Sequence, residues 1–100
     1  MQPNQPKSQN NSIFIGSIPI KNYLNSINAQ LKKEIDSSII IKARGKFISK
    51  AVDIAELAKR NPSFNLNITK IETSTEEYVK DPNLTIKVST IDIHLSKNLK

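Results

Sequence analysis

The stretch Ile41-Lys42-Ala43-Arg44-Gly45-Lys46-Phe47-Ile48-Ser49-Lys50-Ala51-Val52-Asp53 decides the fold, because its two halves change periodicity at one glycine. Upstream, Ser38-Ile39-Ile40-Ile41-Lys42-Ala43 is apolar without alternation and rich in β-branched residues. That predicts a central strand largely covered on both faces. Gly45 ends it, and residues 46–60 predict a helix. Ile48, Val52 and Ala55 mark one helical face, and Phe47, Ala51, Ile54 and Ala58 an adjacent one. Pro62 stops the helix. A stripe this wide exceeds what one sheet covers, so part of it is expected to meet a second copy of the chain.

Toward the N-terminus, Ile13-Phe14-Ile15 reads as a short buried strand closed by Gly16-Ser17. Pro19 suits a first helical turn, where its missing N–H is not needed. Ile20, Leu24, Ile27 and Leu31 then recur on one helical face, to an end near Asp36. Toward the C-terminus, Leu66-Asn67-Ile68-Thr69 alternates and Ile71 breaks the parity, which predicts a bulge or strong twist. Residues 87–96 alternate again, with Ile91, Ile93 and Leu95 on one side and Thr90, Asp92 and His94 on the other. Asp81-Pro82-Asn83 is a turn signal in the charged segment between them. A long hairpin with a projecting tip follows.

The element order is β-α-β-α-β-β. It predicts an α/β two-layer sandwich: a four-stranded mixed sheet, two helices on one face, and a long hairpin between the last two strands. Residues 1–12 hold Gln, Asn, Pro and Ser with one Lys, and read as a flexible polar tail without a secretory apolar core. Residues 13–100 read as one domain.

The 100 residues carry fifteen Lys/Arg against nine Asp/Glu, a net charge of +6 with pI near 9.7. Such an excess favours a polyanionic partner. No apolar run is long enough to span a membrane. The absence of cysteine excludes disulfides and thiolate metal sites, and fits a cytoplasmic protein. No metal-ligand spacing and no cofactor motif is present; GxxxxGK[ST] is absent.

The cations cluster. Lys42, Arg44, Lys46 and Lys50 fall within nine residues with no anion among them. Arg44 and Lys46 flank Gly45, where backbone can approach a phosphate closely. The amides opening the second helix add partial positive charge there. Arg offers a planar fork to phosphate oxygens and Lys a compact charge. Catalytic candidates are weak. His94 is the one histidine, and it reads as a surface residue beside Asp92. Glu76 and Glu77 are adjacent in a projecting arm that cannot hold paired-carboxylate geometry. Tyr23 and Phe47 read as core or interface residues.

Residues 41–53 resemble the signature of the Alba family of archaeal chromatin and RNA-binding proteins, in which a strand delivers a basic Lys-Ala-Arg-Gly loop into a helix beginning Ile-Ser-Lys-Ala-Val-Asp. Ile15-Gly16-Ser17-Ile18-Pro19-Ile20-Lys21-Asn22-Tyr23 is similar to the family's first loop and helix start. Val88-Ser89-Thr90-Ile91-Asp92-Ile93 is similar to its last strand. The resemblance covers residues 12–97. It implies a homodimer that binds double-stranded DNA and RNA without sequence preference and organises the chromosome as a nucleoid-associated protein. Binding would fall to the basic loop, to Ser17 and Lys21 at the first helix, and to Lys80 and Lys87 in the hairpin arm.

Two departures limit what carries over. The family's paired first-loop lysines, one an acetylation site, are here Ser17 and Ile18; Lys21 compensates in part. The phenylalanine used for dimer–dimer packing falls near Pro62, with Phe64 two residues on. Two other functions stay open at this level: an RNA-binding subunit in ribonuclease P-like RNA processing, and a dimerising module with no nucleic-acid partner.

Overall fold

The computed structural model describes residues 7–9, 11–33 and 38–98. Its elements are β1 (Lys7–Gln9), β2 (Ser12–Phe14), α1 (Ile20–Lys33), β3 (Ser38–Arg44), α2 (Ile48–Arg60), β4 (Leu66–Asp81) and β5 (Leu84–Lys97). A single 3-10 turn, Gly45–Phe47, links β3 to α2, so the second helix starts two residues later than its periodicity predicts.

The sheet order is β1-β2-β3-β5-β4. β2 and β3 are parallel; β3 with β5 and β5 with β4 are antiparallel. The four expected strands therefore form the mixed sheet. To its β2 edge is added Lys7–Gln9, which lies in the stretch read as a tail and pairs antiparallel with β2. The rest of residues 1–10 lie outside the described residues.

Both helices pack on one sheet face. There Ile13, Ile15, Ile39, Ile41, Ile93 and Leu95 meet Tyr23, Ile27 and Leu31 from α1 and Ala51, Ile54, Ala55 and Ala58 from α2. The three alanines let α2 approach the sheet closely. Each fully buried isoleucine contributes about 2 kcal/mol. The Tyr23 hydroxyl is satisfied inside this layer, accepting the Gly16 amide at 2.7 Å.

Two burial expectations need correction. β3 is covered on one face only: Ile39, Ile41 and Ala43 are buried, while Ile40 and Lys42 are half-buried on the side away from the helices. Likewise Ile13 and Ile15 are buried but Phe14 between them is 42% exposed. With both helices on one side, the other face has no second layer among the described residues. The apolar residues there shield one another only laterally.

The hairpin follows the sequence pattern. The register slips between Ile68 and Lys70, which is the expected bulge, and the chain reverses at Pro82-Asn83. Asp81 Oδ1 accepts the Asn83 amide at 2.9 Å and fixes the turn. Past the bulge the ribbon leaves the helical layer. Ile71 lies opposite Ile93 on the core side, yet is 56% exposed.

Candidate functional site

The cations of residues 42–50 sit where the parallel strands β2 and β3 end, and they do not share one fate. Lys42 lies directly across from Asp92 in the β3–β5 register and is bonded to it at 2.9 Å, each side chain about one-third exposed. Arg44 reaches diagonally across β5 to β4, where Nη1 donates to Glu76 Oε1 at 2.9 Å. Lys46 extends over the Phe47 ring, 5.5 Å from its centre, and pairs with no described carboxylate.

Lys50 turns inward. Its ammonium donates to the carbonyls of Gly16, at 2.7 Å, and Ile18, and lies 5.4 Å from the centre of the Tyr23 ring. The 16–18 loop is therefore tied to α2 by Lys50 and to α1 by Tyr23. This brings the exposed Ser17 and Lys21 to the same sheet end as Arg44 and Lys46. Lys50 builds that surface from beneath.

Gly45 adopts φ +59°, the left-handed region that glycine enters without steric cost. The kink turns the chain from β3 into α2. No side chain caps the 3-10 turn or α2, and neither first turn holds an acid. Ile48 N–H, the first amide of α2, is bonded to Gly45 O, so the amides facing an approaching anion are those that open the 3-10 turn.

In the arm, Lys80 is exposed near the turn without a described carboxylate partner, and Lys87 lies 3.9 Å from Glu77. At the arm's base His94 Nε2 is 3.0 Å from Glu72 Oε1, so the histidine partners β4 rather than Asp92. The hydrogen bond from His94, and then that from Lys70, holds the Glu72 carboxyl below its ordinary range. Among the described residues, no group of acids and histidine is arranged to hold a metal ion.

The sequence did not single out Phe14. Its ring stands on the helix-free face beside a groove of about 590 Å³, bordered by Phe47 and Arg44 and by Ser74, Thr90 and Asp92 across the hairpin base. A three-residue apolar run gives no signal of which face is open. Phe64 is buried, so it does not offer a surface ring in place of the residue replaced at Pro62.

Comparison with known proteins matches residues 11–77 to the Alba family model. The chain is 37% identical over 89 residues to the DNA/RNA-binding protein Alba of Methanocella arvoryzae, covering 89% of this chain and 92% of the relative. It is 38% identical over 90 residues to the protein of the same description from Picrophilus torridus, covering 90% and 99%. Among solved structures it is similar to Alba from Thermoplasma volcanium, with a TM-score of 0.75 at 38% identity, covering 87% of this chain and 100% of the other.

Proposed function

The chain belongs to the Alba family, and from that premise we propose that it is a nucleic-acid-binding protein, not an enzyme, that holds DNA and RNA through phosphate contacts with little regard for sequence. The observation that carries this is the gathering of Arg44, Lys46, Ser17 and Lys21 at one sheet end, around the 3-10 turn that opens into α2 without a side-chain cap. Relatives bearing the description DNA/RNA-binding support the same reading. Arg44 ends β3, Lys46 lies in the 3-10 turn and Lys21 in the first turn of α1, an arrangement suited to phosphates more than to base edges, whose direct readout needs side chains fixed against them.

The proposed working unit is a homodimer, with an architectural role on the chromosome inside the cytoplasm. Its support is α2, where Val52 and Leu57 are about two-fifths exposed on either flank of the buried alanine stripe. A two-fold axis would place the same flank of both copies together. Sedimentation at micromolar concentration should give about twice the 11.2 kDa chain mass; a clean monomer would reject the dimer.

Anisotropy titrations with unrelated duplexes of equal length test the binding mode. Similar affinities are expected, with log K falling steeply against log salt. A preference of about a thousandfold for one sequence, the range of specific regulators, would overturn it.

A further inference from the structure

The geometry points to the groove on the helix-free face as a pocket for one unpaired nucleobase, stacked on Phe14 and held by its amino edge. This deepens the nucleic-acid reading and rests on it. The groove lies outside the carboxyl ends of β2 and β3, where ligands of α/β sheets commonly bind. Its volume of about 590 Å³ falls in the range of small-ligand sites.

The register sets the geometry. Phe14, Lys42 and Asp92 form one cross-strand row on the helix-free face, and Arg44, Thr90 and Ser74 form the next. Two strand spacings separate Phe14 from Asp92, about 9–10 Å. A base lying flat on the Phe14 ring therefore directs its far edge at Asp92 and Thr90. Exposed aromatic rings on a sheet are efficient platforms for unpaired bases, whereas a base inside a duplex has both faces occupied.

The polar lining selects among bases. The Asp92 and Glu76 carboxylates accept hydrogen bonds and donate none. Adenine, cytosine and guanine carry an exocyclic amine for them; uracil and thymine present a carbonyl at that place. Lys42 and Arg44, already paired with these carboxylates, keep the groove near neutral, as a neutral base needs. Lys46, over the Phe47 ring that borders the groove, is left for the attached phosphate.

The chain has no tryptophan, so Phe14→Trp places one fluorescent reporter in the groove. Its emission is followed while binding is tracked by anisotropy of labelled twelve-nucleotide ligands: an alternating A/C single strand, oligo-U, and a blunt duplex. Quenching is expected with the A/C strand and little with oligo-U or duplex. Phe14→Ala should weaken A/C-strand binding about tenfold, within the range for loss of one stacked base, and leave duplex binding within twofold. Saturation by the A/C strand without quenching, equal quenching by all three ligands, or an equal effect of Phe14→Ala on strand and duplex would overturn the pocket while leaving the phosphate-binding reading intact. Absence of binding to every ligand at low salt would instead refute that parent reading.

Discussion

Arg44 on the basic loop and Glu76 on the hairpin arm are joined across β5 by a 2.9 Å ion pair, so loop and arm are electrostatically linked. Both side chains are more than half exposed, and such a pair contributes at most about 1 kcal/mol. It therefore yields readily to a phosphate. Under the proposed phosphate-binding reading, the arm acid competes with phosphate for Arg44.

Glu76→Gln should accordingly strengthen duplex binding, by up to about fivefold at low salt. The gain should shrink as salt rises and screens the competing carboxylate. Anisotropy at two ionic strengths checks this. Weakened binding at low salt would mean that Glu76 positions Arg44 instead of competing for it.

Removing Arg44 and Lys46 together by alanine substitution should flatten the salt slope by up to about two units, at roughly 0.9 per phosphate contact. Lys80→Ala with Lys87→Ala should cost clearly less, because Glu76, Glu77 and Asp81 leave the arm between Thr75 and Lys87 without net positive charge. A larger loss from the arm pair at the same salt would make the arms the principal binding surface.

Lys50 predicts a different signature. Its ammonium is held by two backbone carbonyls, and hydrogen bonds to a charged group are worth about 1.5–3 kcal/mol. Lys50→Met should lower the melting temperature by about 6–24 °C, at roughly 4–8 °C per kcal/mol for a domain of this size. Lys46→Met, changing an exposed cation, should leave it nearly unchanged. Equal melting temperatures for the two variants would show that the 16–18 loop does not depend on Lys50.

Acid should loosen the base of the arm. The Glu72 carboxyl titrates below its ordinary range in the folded chain, so on acidification the unfolded chain takes up that proton first. The contribution is present above the ordinary carboxylate range and is lost as pH falls through the depressed folded value. Glu72→Gln should therefore reduce the melting temperature slightly at neutral pH, and the difference from the parent should close in strong acid. A difference that persists there would assign the effect to packing.

The order of β2 to β5 and of the two helices, the bulge before Ile71 and the turn at Pro82-Asn83 were legible because each leaves a local mark: periodicity, a parity break, turn residues; the edge strand Lys7–Gln9 was not, because its polar residues carry no apolar alternation. Cation pairing was not legible. Lys42 and Asp92 are fifty residues apart in sequence and become neighbours only through the β3–β5 register. A basic cluster in the chain thus becomes one inward latch at Lys50, two ion pairs at Lys42 and Arg44, and an outward Lys46. Phe14 escaped notice for a related reason. Whether a short apolar strand is covered on one face or two depends on where both helices pack, and its three residues do not record that.

The two-stranded ribbon beyond Thr73 separates reach from folding. Its side chains lie outside the buried cluster, so its length is not fixed by core packing. Because side chains alternate with a period of two, trimming two residues from each strand would shorten the arm by about 7 Å and leave every remaining residue on its original face. Trimming one from each would turn the distal arm over. Arm length is thus a dial with even-numbered stops, set without touching the body that carries it.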